Sequence, residues 1–265
     1  MLDLEAVRAA SDFLFEKWTA FERIDQLPEP LRPASRAEGY AIQAEIERKS
    51  AFPLFGWKIA ATSEAGQKHI GVTGPMAGRI LQEKVLPPHA AISLHRNLMR
   101  VAEVEFAFKL GQDFMPRPVA YTQDEVLQAV ASLHPALEMP DSRFDDFVQV
   151  GAYQLIADNA CAHLFMLGEA TGADWRQIDL STFSVAVNHI KNGQAKALTG
   201  LGSNVLGDPR KALLWIVNEL TQSGVALRKG QVITTGTCLT PVQVEAGDRI
   251  DANFAQFGSI SASFT

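Results

Sequence analysis

The chain has 265 residues, which is enough for one large domain or two small ones with a substantial apolar core. Hydrophobic content of 47% and charged content of 20% are ordinary for a globular protein. A net charge of −6 without a dense Lys/Arg run argues against nucleic-acid or membrane binding. The N-terminus lacks signal-peptide regions, no apolar run is long enough to cross a bilayer, and Cys161 and Cys238 lack metal-ligand spacing. We therefore expect a reduced, cytoplasmic protein.

The first part of the chain has the periodicity of helices. Ser35 and Glu38 have the spacing of a capping box for a helix reaching about Lys49. Short apolar runs separated by Gly and Pro follow, and they predict strands and tight turns. This change predicts a helical N-terminal subdomain at 1–52 and a second domain at 53–265. An earlier helix is indicated by apolar residues at helical spacing: Leu4, Val7, Leu14, Phe15 and Trp18.

Two later helices have clear start signals. Thr122 and Glu125 fit a capping box, and Asp208-Pro209 offers an N-cap followed by a first-turn proline. The first of these helices is expected to carry four apolar residues: Val126, Leu127, Val130 and Leu133. Three further segments are typical of strands: 183–190, 231–235 and 248–254. Because strands and helices do not alternate regularly, the pattern favours a mixed α+β fold over a doubly wound one.

The segment 101–108 reads as a strand with two glutamates on one face. Side chains alternate along a strand, so Glu103 and Glu105 point the same way from Cα atoms roughly 6.5 Å apart. A third acid, Glu138, stands in an apolar setting where an unpaired carboxylate is costly to bury. Three carboxylates around one hard divalent cation remove that cost and suit Mg²⁺ or Mn²⁺.

Other candidate residues keep two readings each. Lys58 lies between Trp57 and Ile59, and it is either a snorkelling surface lysine or a partly buried proton carrier. Cys161 is either a small buried residue or a thiol that lines a pocket. The six histidines are scattered without metal-binding spacing, so a zinc site is not expected.

Several motifs follow one another in an order and spacing that is specific only when they are taken together. They are Gly56-Trp57-Lys58-Ile59, Glu103-Val104-Glu105-Phe106, Ala136-Leu137-Glu138, Asp141-Ser142-Arg143, Asp158-Asn159-Ala160, Val205-Leu206-Gly207-Asp208-Pro209 and Phe257-Gly258-Ser259-Ile260-Ser261. Over nearly its whole length the chain resembles the 2-keto-4-pentenoate hydratase and 4-oxalocrotonate decarboxylase family, within the fumarylacetoacetate hydrolase superfamily.

The resemblance implies an α+β fold, a mixed β-sheet roll preceded by a mainly helical N-terminal subdomain. It implies that Glu103, Glu105 and Glu138 hold Mg²⁺ or Mn²⁺ and that Lys58 lines the active site. The implied activity is the addition of water to a 2-hydroxy-2,4-dienoate, giving a 4-hydroxy-2-oxo acid, in the catabolism of aromatic compounds. The implied substrate is a small 2-oxo or 2-hydroxydienoic acid. Relatives are commonly homo-oligomers, and association with another pathway enzyme stays open.

The sequence also departs from this family. Many hydratases have Pro-Asp-Phe-Gly where this chain has Pro75-Met76-Ala77-Gly78, and often Ser where it has Cys161. Because Met76 cannot transfer a proton, water activation falls to Lys58, a metal-bound water or a ligand carboxylate. We place Gly236 and Thr237 as donors to the substrate carboxylate.

Three alternatives to the hydratase remain. The first is decarboxylation of a 2-oxo-enedioate such as 4-oxalocrotonate, which needs a cation for the distal carboxylate; the candidates are Lys68, Arg79 and Arg143. The second is C–C hydrolysis of an acylpyruvate. The third is a non-catalytic homologue that binds a partner.

Overall fold

The computed structural model describes residues 2–265. The described residues form six α-helices, joined by short 3₁₀ turns and by the strands of two sheets. The helices are α1 (Leu4–Ala20), α2 (Arg36–Ala44), α3 (Glu64–His69), α4 (Gln123–Gln128), α5 (Ala152–Ala157) and α6 (Pro209–Gln222).

The first helix contains the predicted apolar stripe, and the second begins at the predicted cap. The Asp3 carboxylate accepts a hydrogen bond from the N–H of Ala6 at 2.8 Å, which caps the start of α1. The Ser35 hydroxyl accepts one from the N–H of Glu38 at 3.2 Å, and helical structure continues to Lys49 through a 3₁₀ segment. Whether 1–52 form a separate subdomain from 53–265 stays a prediction.

Two mixed sheets carry the rest of the fold. Their strands are β1 (Gly56–Ala60), β2 (Met76–Ile80), β3 (Val85–Leu86), β4 (Ala91–Ile92), β5 (Val101–Leu110), β6 (Val130–Met139), β7 (Leu164–Leu167), β8 (Ser184–Lys191), β9 (Gln194–Leu201), β10 (Val232–Thr237), β11 (Val242–Gln243), β12 (Arg249–Asn253) and β13 (Ser259–Phe264). One sheet has the order β2-β1-β10-β5-β6-β7-β3 with β11 beside β5, and the other has the order β4-β13-β12-β8-β9. Most pairs are antiparallel, but β1–β10, β3–β7 and β4–β13 are parallel.

The predictions for these segments are largely confirmed, with one error. The four predicted strands correspond to β5, β8, β10 and β12, and the capping box at Thr122 and Glu125 is present. The helix that it starts ends at Gln128, however, so the prediction was wrong for Val130 and Leu133, which lie in β6. Strand β6 pairs with β5 at eight positions, and tertiary pairing of this extent overrides local helical spacing.

The two sheets are joined by aromatic packing on one face of β5. Phe106 is fully buried and contacts Phe254 edge-to-face, with ring centroids 5.2 Å apart. It also contacts Phe183, which stacks on Phe257 at 4.4 Å. Burial of several aromatic rings at one place fixes β5 strongly against the second sheet. The opposite face of β5 carries Glu103 and is therefore held in a defined orientation.

Within residues 2–265, none of the helices combines the length and the apolar character required to span a bilayer.

Candidate metal centre and active site

Adjacent strands bring the three predicted glutamates together. In the antiparallel pair of β5 and β6, Glu103 stands directly opposite Glu138, and Glu105 follows on the same face of β5. One carboxylate oxygen from each residue lies within 4.8 Å of the other two. Residues that stand opposite each other in adjacent strands have neighbouring side chains, so the register of this pair creates the cluster.

The cluster is buried and contains oxygen atoms without donors. Glu105 and Glu138 are 0% and 1% exposed, while Glu103 is half-buried. Within the described residues no hydrogen bond reaches Oε1 of Glu105 or Oε1 of Glu138, and the partner of Oε2 of Glu138 is the ammonium of Lys58, in an ion pair at 3.0 Å. Unpaired buried carboxylate oxygens are costly. They are also the ligands that a hard divalent cation requires, so this donor set fits such a cation.

Strand β10 holds the second oxygen of Glu105. Oε2 accepts hydrogen bonds from the hydroxyl of Thr234 and from the N–H of Gly236, the latter at 2.9 Å. A β-bulge between Thr234 and Thr237 turns the Gly236 N–H out of the ladder and towards this carboxylate. Gly236 has a φ of +93°, and a Cβ there would lie 2.0 Å from Oγ1 of Thr62, so only glycine fits.

The two residues predicted to bind the substrate carboxylate already have partners in this structure. The Gly236 N–H donates to Glu105, and the Thr237 hydroxyl donates to the carbonyl of Leu239 at 2.7 Å. Their direct contact with a substrate therefore stays a prediction. In this structure the Gly236 N–H orients the carboxylate of Glu105.

Lys58 is the cation of the cluster. It lies in β1 with 3% of its surface exposed, and its Nζ is 3.0 Å from Oε2 of Glu138. Burial lowers the pKa of Lys58, but the negative charge of the neighbouring carboxylates, Glu138 first and then Glu103, outweighs this, and the pKa is raised overall. The surface-lysine reading is therefore wrong, because burial places this ammonium inside the site.

Burial and mutual repulsion raise the pKa values of two carboxyl groups in the cluster. Burial, followed by the neighbouring Glu103 carboxylate, raises the pKa of Glu105 to about 8, although Thr234 and Lys58 act in the opposite direction. Burial also raises the pKa of Glu138 well above its usual value, against the effect of Lys58. Three carboxylates and one ammonium leave two negative charges in surplus, which a divalent cation neutralises.

A left-handed turn, formed by Asn159-Ala160-Cys161, closes the site beside Lys58. The three residues have φ angles of 55°, 49° and 60°. This conformation costs roughly 1–2 kcal/mol for each residue with a Cβ, so the surroundings must hold the turn in place. The carbonyl of Ala160 accepts a hydrogen bond from Nζ of Lys58 at 3.1 Å. Cys161 in this turn is half-buried.

The surroundings raise the pKa of the Cys161 thiol. Burial, followed by the charge of Asp158, raises its pKa to about 12, and burial also raises the pKa of Cys238. The thiolate is the nucleophile in alkylation, so both cysteines should react slowly in the native protein. We expect iodoacetamide at pH 8 to label the folded chain at least about 100-fold more slowly than the urea-unfolded chain. Mass spectrometry of each cysteine peptide measures the two rates, and equal rates would contradict the expectation.

The structure also places the cations that were considered for a distal carboxylate. Arg79 is buried and pairs with Glu47, and its guanidinium lies 4.6 Å from the Trp57 ring centroid. Arg143 is buried, with its Nε 3.0 Å from Oδ1 of Asp158. Both side chains therefore already have internal partners. Lys68, the third candidate, is exposed on α3.

Neither Met76 nor His134 belongs to the glutamate cluster in this structure. Met76 is 1% exposed and pairs with Ala60, two positions from the pair of Lys58 with Gly78. Because side chains alternate, Met76 lies on the sheet face that carries Lys58. Both ring nitrogens of His134 have neighbours, at 2.8 Å from Gly168 O and from the Ser132 hydroxyl. These contacts are typical of a histidine with a structural role.

Two contributors to the site were not found from the sequence. The Thr234 hydroxyl holds Glu105, and the Ala160 carbonyl holds Lys58. The sequence singles out the neighbouring Gly236 and Thr237, but the bulge that brings Thr234 to Glu105 cannot be read from residue types. A carbonyl group leaves no trace in the sequence at all. Only Asn159, a residue that tolerates left-handed backbone, hints at the turn.

Comparisons with known proteins agree with this geometry. Residues 73–265 match the family described as "Fumarylacetoacetate (FAA) hydrolase C-terminal". The chain is 34% identical over 214 residues to a 2-hydroxyhexa-2,4-dienoate hydratase of Comamonas testosteroni, covering 80% of this chain and 78% of the relative. It is 29% identical over 245 residues to 2-keto-4-pentenoate hydratase 2 of Dechloromonas aromatica, covering 91% of this chain and 90% of the relative.

Among solved structures, the 4-oxalocrotonate decarboxylase of Pseudomonas putida G7, complexed with magnesium and adipate, superposes with a TM-score of 0.88 at 25% identity. The superposition covers 100% of this chain and 99% of the decarboxylase chain. The α+β fold, with its helical N-terminus and mixed sheets, is therefore confirmed. From the family match, the relatives and this fold, the chain belongs to the fumarylacetoacetate hydrolase family.

Proposed function

We propose that the protein is a divalent-metal-dependent hydratase that adds water to a 2-hydroxy-2,4-dienoate, giving a 4-hydroxy-2-oxo acid, in the catabolism of aromatic compounds. The observation that carries this proposal is the cluster of Glu103, Glu105 and Glu138, two of them fully buried, with Lys58 at 3.0 Å from Glu138. The hydratase names of the two curated relatives support the reaction class. The magnesium in the decarboxylase structure supports Mg²⁺, and the oxygen donors here equally suit Mn²⁺.

The reaction requires stabilised negative charge and a mobile proton. A 2-hydroxydienoate is ketonised first, and water then adds at C4 while C3 receives a proton. The chemistry that a divalent cation supplies when bound by the three glutamates is Lewis-acid stabilisation of negative charge on the substrate's 2-oxo oxygen. The carboxylate of Glu138 pairs with the Lys58 ammonium and holds it in place.

Lys58 is the group that moves a proton in this proposal. Its ammonium has two partners on the protein, an ion pair with Glu138 and a hydrogen bond to the Ala160 carbonyl, and it has three protons to donate. One donor position therefore remains for the substrate. Met76 on the same sheet face contributes no titratable group, and the thiol of Cys161 is a neutral, weak donor, so Lys58 carries the proton transfer.

Decarboxylation of a 2-oxo-enedioate is the second candidate, favoured by the close fold likeness to the decarboxylase. The surroundings of the arginines favour the hydratase instead. A decarboxylase must bind a second carboxylate at the far end of its substrate, yet Arg79 and Arg143 are committed to Glu47 and Asp158. Acylpyruvate hydrolysis requires a dedicated pair of residues that activates water, and we identify no such pair among the residues of the site. A non-catalytic homologue would have no use for a cluster of three carboxylates, two of them buried.

The remaining features of the proposal concern the setting of the enzyme. We propose a small 2-oxo or 2-hydroxydienoic acid as its ligand, a homo-oligomeric assembly and a cytoplasmic location. Association with another enzyme of the pathway remains an open prediction.

Two parallel assays test the proposed reaction. Purified protein with Mg²⁺ should convert 2-hydroxypenta-2,4-dienoate into 4-hydroxy-2-oxopentanoate and should release no CO₂ from 2-oxohex-3-enedioate. Excess EDTA should stop the turnover, and added Mg²⁺ or Mn²⁺ should restore it. Release of CO₂ without hydration would identify a decarboxylase. No turnover in either assay, with the cation still bound, would identify a binding protein.

A further inference from the structure

The position of the Lys58 ammonium depends on an acceptor outside the glutamate cluster. Its Nζ donates to the carbonyl of Ala160 at 3.1 Å and lies 3.0 Å from Glu138 on the other side. A lysine side chain has four rotatable bonds and no preferred direction of its own, so its hydrogen-bond and ion-pair partners decide where the charge is held. The left-handed turn that supplies the carbonyl is therefore part of the geometry of Lys58.

The turn is fastened to strand β2 by one side chain. The Asn159 amide accepts a hydrogen bond from the N–H of Arg79 at 2.7 Å and donates one to the carbonyl of Arg79 at 2.9 Å. Strand β2 is at the edge of its sheet, so this amide takes the place of a neighbouring strand. Asn159 is 5% exposed, and both of its polar groups are used in this clamp.

The contact between the turn and β2 leaves no spare room. A Cβ at Gly78 would lie 2.4 Å from the carbonyl oxygen of Asn159 and 3.0 Å from Cγ of Lys58. The turn, strand β2 and the stem of Lys58 are thus in direct contact around one glycine. A shift of the turn away from β2 would carry the Ala160 carbonyl away from Nζ.

Hydrogen bonds of the residues beside Asn159 hold the loop independently. The carbonyl of Cys161 accepts a hydrogen bond from the N–H of Asp141 at 2.9 Å, and the Asp158 carboxylate accepts from Ser142 and from the N–H of Arg143. These bonds do not involve Asn159. Removal of the Asn159 side chain should therefore loosen the β2 side of the turn without unfolding the loop that contains it.

We propose that Asn159 is a positioning residue for Lys58: by clamping the left-handed turn to β2, it sets the Ala160 carbonyl where it orients the ammonium. The inference rests on the proposed function, because it takes Lys58 as the proton-transfer group. The side-chain hydrogen bonds of Asn159 go to Arg79 and not to the glutamates. It acts through the turn.

Asn159→Gly is the informative substitution. Glycine accepts the left-handed backbone, so this variant removes both hydrogen bonds to Arg79 without adding backbone strain. Asn192→Gly is the matched control, because Asn192 is exposed at a hairpin and also has a positive φ of 52°. We expect kcat to fall about 10- to 100-fold in the first variant, as misplacement of a catalytic group by about 1 Å does. The control should keep the wild-type rate.

Two further readouts separate positioning from a merely structural role. Mg²⁺ affinity in Asn159→Gly should stay within about 3-fold of wild type, because the glutamates keep their partners. Binding of 2-oxopentanoate to the Mg²⁺-loaded protein should weaken in Asn159→Gly and in Lys58→Met. In the Lys58→Met background, Asn159→Gly should cause no further weakening, since residues acting through one group are not additive. Additive losses, or lost Mg²⁺ binding, would overturn the proposal.

A crystal structure of the variant tests the geometry without any assay. The expected result is that Nζ of Lys58 no longer contacts the Ala160 carbonyl, and retention of the 3.1 Å contact with full activity would overturn the proposal. If Asn159→Gly does not fold, Asn159→Asp keeps the acceptor for Arg79 N–H but loses the donor, and the same results apply. Absence of turnover in the wild type would reject the proposed function alone, because the structure and the binding cycle still decide the role of Asn159.

Discussion

Glu138→Gln should abolish divalent-cation binding and, with it, turnover. Glu138 is the residue that closes the cluster from β6, and within residues 2–265 its Oε1 receives no hydrogen bond while its Oε2 pairs with Lys58. Gln keeps the size of the side chain but loses the charge and one ligand oxygen. Loss of a residue that merely supports a ligand weakens metal binding about 10- to 100-fold, so loss of the ligand should cost more than about 100-fold.

Thermal unfolding gives a readout that does not depend on catalysis. At a Mg²⁺ concentration about 100 times the wild-type Kd, binding stabilises the folded state by about 2.7 kcal/mol. A 100-fold weaker variant at the same concentration retains only about 0.4 kcal/mol. The Mg²⁺-induced rise in Tm should therefore nearly disappear in Glu138→Gln and stay intact in Glu5→Gln, which changes an exposed acid on α1. An undiminished rise in the first variant would exclude Glu138 from the metal centre.

Local sequence patterns predict the parts of this fold that depend on near neighbours. Alternation along β5 correctly places Glu103 and Glu105 on one face, opposite the aromatic core. The capping box at Thr122 correctly marks the start of α4. The same reasoning extends that helix too far, because pairing of β6 with a strand some thirty residues earlier is invisible to local periodicity.

The candidate site depends on long-range register, which the residues alone do not reveal. An apolar setting marked Glu138 as unusual, but only the pairing of β5 with β6 places it opposite Glu103. A one-residue shift in that register would point Glu138 to the other face of the sheet. The bulge in β10 is a second example, because it turns the Gly236 N–H to Glu105 where the sequence suggested a substrate carboxylate. The family resemblance supplied what local physics could not.

Lys58→Met should remove nearly all turnover while Mg²⁺ binding persists. Methionine has a similar length and suits a buried site, so the variant removes the ammonium without leaving the cavity that alanine would create. General acid–base catalysis contributes about 10²- to 10⁴-fold to rates, and we expect a loss of kcat in that range. The same loss is expected for Lys58→Ala.

The metal affinity of Lys58→Met distinguishes a catalytic role from a structural one. The ammonium lies 3.0 Å from Glu138 and repels any cation that binds the same carboxylates. Its removal should leave Mg²⁺ affinity unchanged or make it tighter, which titration calorimetry measures. Lys229→Met is the control, since Lys229 is exposed. Full turnover in Lys58→Met would refute its role in proton transfer. Loss of Mg²⁺ binding would show instead that the buried ion pair with Glu138 is needed to build the metal centre, because an ammonium that only transfers protons has no reason to support a cation beside it.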